Sequence, residues 1–151
     1  MWSTISTWPF SLQAVEKAAD ILKNGGSAVE PYLMSRVECG GEVTYEADPK
    51  NTGRLVSREI ADTVKAYMRK NTERVYGDWN FPGLKVCAKS GTSQLGGGQK
   101  SNAMFAGFVD SEEYPLAFMV VVENGGYGSH TCVPILSKVL GVCKAVIDQE
   151  K

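Results

Sequence analysis

Apolar residues recur along this chain at two spacings, which separate segments with helical character from segments with strand character. A recurrence every three or four residues lines one face of a helix, whereas alternation lines one face of a strand. The first spacing predicts helices over residues 11–22, 57–70 and 135–147. Ser57 is expected to cap the second helix and Pro134 to stand at the start of the third.

Alternation predicts three strands in the second half of the chain, over residues 84–89, 103–109 and 116–123. Lys89 is expected to end the first strand, which alternates as if one of its faces were covered, and the glycines at 96–98 to form the tip of the next connection. The second connection, residues 110–115, is shorter than the dozen or so residues that a parallel crossover needs, and the first contains a glycine turn. We therefore predict an antiparallel sheet with the strands in chain order and the last helix packed on one face.

The remaining segments predict shorter elements. We expect a β-hairpin from residues 31–37 and 42–45, a polar loop over 47–54 and an irregular segment packed on the core over 71–83. No repeat or low-complexity stretch divides the chain. Residues 1–151 are therefore predicted to form a single unit of the α+β class.

Composition and charge exclude several classes of protein. Of the 151 residues, 43% are hydrophobic and 22% charged, which is typical of a globular domain. The 16 basic and 17 acidic side chains give a net charge of −1 without blocks of like charge, so no nucleic-acid-binding surface is predicted. The longest unbroken apolar run, residues 116–122, is far shorter than the roughly 20 residues that span a bilayer, so we predict no anchor or export signal in this chain.

Cysteine and histidine positions do not predict a metal centre. The four cysteines are too widely spaced for a disulfide scaffold and are predicted to be buried free thiols: Cys39, Cys87, Cys132 and Cys143. Zinc sites normally use paired ligands, and the one close pair here is His130 with Cys132, so no metal or other cofactor is expected. A catalytic thiol at Cys132 has no third group to orient His130, which is expected at the surface.

One short stretch carries candidate chemistry, the sequence Lys89-Ser90-Gly91-Thr92-Ser93 near a strand end. An ammonium, hydroxyls and a flexible glycine beside a strand edge suit an extended peptide with a carboxylate. Lys89 and Thr92 would bind the carboxylate, and Gly91 would let the ligand approach the backbone. Taken alone, the same string also fits a solvated strand end.

Further motifs stand in a fixed order around this stretch. Phe-Ala-Gly-Phe at 105–108 and Glu-Asn-Gly-Gly at 123–126 follow it, and Pro-Phe-Ser-Leu-Gln at 9–13 and Asn-Gly-Gly at 24–26 precede it. The stretch from Cys87 to Val133 closely resembles the C-terminal half of the transpeptidase domain of penicillin-binding proteins, particularly the monofunctional cell-division and elongation type. In that comparison Lys89-Ser90-Gly91 matches the third motif of the family, Lys-Ser/Thr-Gly.

The resemblance implies acyl transfer from a D-Ala-D-Ala peptide, or from a β-lactam that mimics it, onto a serine. Lys89 would raise the positive potential of the cleft, and Ser90, Thr92 and Ser93 would hydrogen-bond the substrate, with Thr92 chiefly on its terminal carboxylate. The Thr92 amide, together with that of the attacking serine, would stabilise the oxyanion. Gly91 would be small for close approach of the peptide.

The family's other two motifs are absent. No serine is followed three residues later by lysine, and no Ser-x-Asn occurs. In the family these motifs and two strands of the sheet precede the region that this chain resembles. We therefore expect the chain to be the C-terminal part of a transpeptidase domain, inactive alone, from a membrane-anchored parent that acts outside the cytoplasm on peptidoglycan stem peptides and binds β-lactams.

Two further expectations concern partners. A strand edge and apolar helix faces that have lost their neighbours would favour a homodimer. The alternative to a transpeptidase fragment is a stand-alone module that uses the same sheet to bind a peptide or a partner protein without catalysis.

Overall fold

A computed structural model of the protein describes residues 12–30, 32–95 and 97–151, and these residues form three α-helices and seven β-strands. The helices are α1 (Leu12–Lys23), α2 (Arg58–Asn71) and α3 (Gly128–Gln149). The strands are β1 (Ser27–Val29), β2 (Arg36–Cys39), β3 (Glu42–Glu46), β4 (Asn51–Arg54), β5 (Val86–Ser93), β6 (Asn102–Val109) and β7 (Ala117–Val122). The predicted helix start at Ser11 lies outside the described residues.

The main sheet has the order β5-β6-β7, and both pairs of neighbours are antiparallel. Val86 lies opposite Val109 at one end of the first pair, and Ser93 opposite Asn102 at the other. Gly97 and Gly98, in the connection between β5 and β6, have positive φ angles, as expected for the tip of that connection. The predicted α+β class, strand order and antiparallel arrangement are confirmed.

Helices cover both faces of this sheet. On one face, Leu136 and Leu140 of α3 pack in one buried cluster with Val86 and Phe105. On the other face, Ala19 of α1 clusters with the strand residues Cys87 and Phe108, and Leu22 and Met68 pack against them. The prediction that β5 is covered on one face is therefore wrong, because Cys87 points into a second apolar layer formed by α1 and α2.

Two predicted boundaries in the first half of the chain need correction. Residues 51–54, predicted as loop, form β4 and pair antiparallel with β1. The Thr52 hydroxyl supports the pair, because it accepts a hydrogen bond from the Ala28 amide and donates one to the Ala28 carbonyl. β4 is short and polar, so its sequence is typical of a loop. The predicted hairpin is present as β2 and β3, but its first strand spans Arg36–Cys39 rather than residues 31–37. Ser57 caps α2 as predicted, its hydroxyl accepting a hydrogen bond from the Ile60 amide.

α3 begins earlier than predicted. Its first residue is Gly128, so Pro134 lies inside the helix rather than at its start. Pro134 is exposed, and its missing N–H removes one hydrogen bond in a helix of 22 residues. In the part of the chain that the structure describes, α3 is also the one helix long and apolar enough to cross a membrane by length and composition. Its inward face forms the core with the sheet.

The segment predicted as irregular, residues 71–83, is mostly helical. α2 runs without interruption into a π-helical turn, Thr72–Gly77, and then into a 3-10 turn, Asp78–Asn80. Gly77 has a φ of +83°, and an added Cβ there would lie 2.5 Å from the Trp79 ring, so the change of direction requires glycine. As predicted, Tyr76 and Phe81 of this segment pack on the core, but the same expectation for Trp79 is wrong, because its side chain is exposed.

Candidate active site

The candidate motif lies inside a strand. β5 continues through Ser93, so the prediction that Lys89 ends the strand is wrong. Polar residues follow Lys89 because this strand is at the edge of the sheet: β5 pairs with β6 on one side, and no strand within the described residues pairs with its other side. We call that second side the free edge of β5.

Strand alternation places the motif residues on opposite faces of the sheet. Lys89 lies opposite Ala106, and both line a groove against α1 and α2. Ser90 lies opposite Phe105, whose ring is in the cluster under α3. Because residues two apart in a strand share a face, Gly91 and Ser93 lie on the face of Lys89, and Thr92 lies on the face of Ser90.

Lys89 stands beside an open apolar groove. The groove has a volume of about 380 Å³ and lies between α1, α2, β5 and β6, with Met68 and Tyr67 among the residues that line it. The Lys89 side chain is exposed, and its ammonium donates a hydrogen bond to the Ser90 carbonyl on the free edge. The one cation of the motif is thus positioned where the groove meets the strand edge.

Tyr76 makes two hydrogen bonds with Ser90. The Tyr76 hydroxyl accepts a hydrogen bond from the Ser90 amide at 2.9 Å and donates one to the Ser90 hydroxyl oxygen at 3.1 Å. Because the Ser90 amide bonds Tyr76 rather than β6, it points out of the free edge. The Thr92 amide, two residues further along the strand, points the same way.

The Thr92 side chain meets the beginning of α3. Its hydroxyl oxygen accepts a hydrogen bond from the Gly128 amide at 3.2 Å. The hydroxyl proton of Thr92 is therefore left to donate to a ligand. An added Cβ at Gly128 would lie 2.2 Å from the Gly91 carbonyl oxygen and 2.5 Å from that of Met104. Only glycine lets α3 come this close to β5 and β6.

Replacing Gly128 by alanine is expected to lower the free energy of unfolding by about 1–3 kcal/mol, because backbone atoms have to move to admit the methyl group. Urea denaturation of the isolated chain measures this change. Gly141→Ala is the matched control: Gly141 lies in the same helix with nothing within 4 Å of an added Cβ. That variant should gain about 0.5–1 kcal/mol from helix propensity. Equal effects of the two substitutions would contradict the close-approach argument.

Arg69 of α2 fixes the chain just ahead of the motif. Its guanidinium donates two hydrogen bonds to the Asp78 carboxylate, at 2.7 and 2.6 Å, and one to the Val86 carbonyl at 3.0 Å. The hydrogen bond from Arg69 holds the pKa of Asp78 below its usual range. This fork-to-fork pair ties the turn at residues 72–80 to the first residue of β5. Sequence patterns did not indicate this contact.

The His130 and Cys132 pair does not form a site. Both lie on α3, where His130 is exposed and Cys132 is buried against the sheet. Burial raises the pKa of the Cys132 thiol, which disfavours the thiolate that a nucleophile needs. Across residues 12–30, 32–95 and 97–151, no cluster of three potential metal ligands occurs. Asn124 is a turn residue, with a φ of +54° and its amide bonded to the Asn102 side chain.

The strand order, the edge motif and the flanking helices can now be compared with known proteins. Residues 3–141 match the sequence model of the penicillin binding protein transpeptidase domain. The chain belongs to this family. Its relatives include the peptidoglycan D,D-transpeptidases MrdA of Haemophilus influenzae, 28% identical over 156 residues, and of Salmonella typhimurium LT2, 30% identical over 149 residues. The alignments cover 88% and 82% of this chain but only 23% of each relative.

Solved transpeptidase structures share the fold. Penicillin-binding protein A of Mycobacterium tuberculosis, as its ceftriaxone acyl-enzyme, superposes with a TM-score of 0.75 at 23% identity, covering 85% of this chain and 31% of that one. PBP2 of Pseudomonas aeruginosa in complex with WCK 5153 gives a TM-score of 0.66 at 24% identity, with coverages of 86% and 29%. The chain thus spans about a quarter to a third of the proteins it matches.

Proposed function

We propose that these residues supply the C-terminal part of the transpeptidase domain of a longer penicillin-binding D,D-transpeptidase. That enzyme would cross-link peptidoglycan outside the cytoplasm by acyl transfer from D-Ala-D-Ala peptides, held at the membrane by another part of its chain. The observation that carries this proposal is the Lys-Ser-Gly-Thr sequence on the free edge of β5, directly beside an open groove. Family membership and the names of the MrdA relatives support it.

The residues present are suited to substrate recognition. An extended peptide can pair with the free edge of β5, and its terminal carboxylate can accept a hydrogen bond from the Thr92 hydroxyl. Lys89 adds positive potential at the same edge. The outward Thr92 amide is one of the two donors that an oxyanion hole for acyl transfer requires. Ser93, on the face of Lys89, would extend the polar rim of the site.

The nucleophile would come from sequence outside these 151 residues, because no Ser-x-x-Lys occurs within them. The groove beside Lys89 has the apolar lining that a packed helix needs, with Leu22 of α1 and Met68 of α2 on its walls. A helix seated there would bring its polar residues to Lys89 and the free edge. We therefore place the segment that bears the serine and its lysine partner in this groove.

The proposal is tested on the protein encoded by the reading frame that contains this sequence and its upstream extension. A Ser-x-x-Lys upstream, together with a denaturation-resistant fluorescent penicillin adduct on that serine, is the expected result. Because the solved neighbours include β-lactam acyl-enzymes, a penicillin is a suitable probe. A frame that lacks the motif and a protein that takes no label would favour a non-catalytic binding module.

The isolated chain is expected to self-associate through an apolar stripe on α3. The α3 stripe consists of side chains that are 41–64% exposed and spaced by four, three and four residues: Ile135, Val139, Val142 and Val146. Such a face gains free energy when a second copy covers it. In sedimentation equilibrium, the mean mass should rise toward a dimer with concentration. Val139→Lys with Val146→Lys should return the chain to a monomer.

A matched control uses Val75→Lys, because Val75 is 68% exposed and lies outside the α3 stripe. That substitution should leave the association unchanged. A wild-type chain that remains a monomer across a wide concentration range would contradict the prediction.

A further inference from the structure

The free edge of β5 is partly occupied by the protein itself. At its first residue, the outward Val86 carbonyl accepts a hydrogen bond from Arg69. In the middle, the Ser90 amide is bonded to the Tyr76 hydroxyl. The Thr92 amide is the next outward donor, and within the described ranges no other element accepts a hydrogen bond from it. The edge is therefore occupied at the Ser90 amide and open at the Thr92 amide.

Tyr76 is held in a fixed position beside the Ser90 amide. Its side chain is 7% exposed, and its ring packs edge-on against Phe105, with centroids 4.8 Å apart. The π-helical turn that carries it is fixed on its C-terminal side by the Arg69–Asp78 ion pair. Only the hydroxyl reaches the edge, where it is both acceptor and donor to Ser90.

We propose that Tyr76 is a positioning residue for the transpeptidase site, and that it sets the register of the bound peptide by occupying the Ser90 amide. This inference rests on the proposed function. A peptide that extends the sheet can take the Thr92 amide, and also the Ser90 carbonyl if the exposed Lys89 side chain releases it, but it cannot take the Ser90 amide. A slip of two residues toward the beginning of β5 is thereby prevented.

The slip is the relevant competing state because strand pairing repeats every two residues. In a peptide displaced by two residues, each side chain still points to the same face of the sheet, so side-chain packing does not disfavour the displaced state. Its reacting carbonyl would nevertheless lie about 6–7 Å from the oxyanion donor, at about 3.3 Å of rise per residue. Tyr76 also orients the Ser90 hydroxyl, which the resemblance assigns to substrate binding.

The catalytic arm of the test uses Tyr76→Phe in the longer transpeptidase, because this change removes the hydroxyl and keeps the ring packed on Phe105. Stopped-flow acylation by a penicillin should show a fall of about tenfold in the first-order acylation step, as expected from misplacement of bound reactants. Initial binding and the melting temperature should change little. Tyr45→Phe is the control, since Tyr45 lies on the exposed strand β3.

A double-mutant cycle with Ser90→Ala separates the two contacts that Tyr76 makes with Ser90, because alanine removes the hydroxyl and keeps the amide. If Tyr76 acts by occupying the amide, the losses from the two substitutions should multiply. A double variant no slower than Ser90→Ala alone would mean that Tyr76 acts only by orienting the hydroxyl, and would overturn the register argument. Acylation of Tyr76→Phe at the wild-type rate would overturn the inference.

The structural arm uses the 151-residue chain and needs no chemistry. Amide hydrogen exchange followed by NMR should be at least about tenfold faster at Ser90 in Tyr76→Phe than in wild type, with strand β6 amides unchanged. Unchanged exchange at Ser90 would overturn the inference whatever the enzyme does. A longer protein that takes no penicillin would instead contradict the proposed function, and the exchange result would still decide whether Tyr76 occupies the edge.

Discussion

Incubated with a fluorescent penicillin and then denatured, the isolated 151-residue chain is expected to retain no label. Covalent capture requires a serine activated by a neighbouring base, and the serines of the motif lack one. Ser90 is hydrogen-bonded to the Tyr76 phenol, which is a weak base. Under the proposal that other sequence supplies part of the cleft, recognition groups alone should give at most weak, reversible binding.

Mass spectrometry of the same sample gives the sharper readout. An unmodified mass is expected at all incubation times, whereas the longer protein containing the upstream serine should gain one penicilloyl group. A stable adduct on the isolated chain would refute the proposal that the nucleophile lies elsewhere. Peptide mapping would then locate the reacting residue, with Ser93 and the exposed Cys39 as the first positions to check.

Lys89→Ala in the longer transpeptidase is expected to slow acylation by about 10²-fold, the usual cost of removing one electrostatic stabiliser from an acyl-transfer site. Lys89 is the only cation in the motif, and its ammonium lies on the free edge beside the groove. Its loss leaves the developing oxyanion and the substrate carboxylate with less positive potential. The second-order rate constant for penicillin acylation measures the effect.

Lys85→Ala provides the matched control. Lys85 is exposed and directly precedes β5, so the substitution changes net charge by the same amount near the same strand. It should reduce acylation by less than about threefold, because screening weakens exposed charges beyond about 10 Å. Equal losses in the two variants would mean that general electrostatic attraction, rather than Lys89 at the edge, accounts for the effect.

The sheet could be predicted because its strands alternate and their connections are short. Phe105 and Phe108 lie on opposite faces of β6, and both are fully buried. Alternation along one strand does not indicate whether one face of the sheet is covered or both. The layer that α1 and α2 form on the Cys87 side depends on contacts between segments far apart in the chain, so it was not predicted.

The boundaries of β5 and α3 could not be predicted for a related reason. Ser90, Thr92 and Ser93 are polar because their strand lies at an edge, yet polar residues after an apolar run are typical of a loop. Proline is common at helix starts, which placed the predicted start at Pro134. The start of α3 is set instead by the fit of Gly128 against two backbone carbonyls. Neither cause leaves a periodic trace in the sequence.

The sequence predicted one part of the candidate site and not the other. The Lys-Ser-Gly-Thr motif was identified from sequence through the family resemblance, and the structure places it on an edge strand. Tyr76 and Arg69 were not identified. Each contacts β5 across more than ten residues of chain, Arg69 through its guanidinium and Tyr76 through its phenol, and no local pattern indicates either contact.

The two buried cysteines give the sheet a separate chemical reporter on each face. Cys87 lies under α1 and α2, where burial raises the pKa of its thiol to about 11, and Cys132 lies on α3 against the opposite face. Alkylation of either thiol therefore waits until its own layer opens. Comparing their labelling rates under mild denaturant would reveal which layer of the domain detaches first, with exposed Cys39 marking the rate for an unprotected thiol.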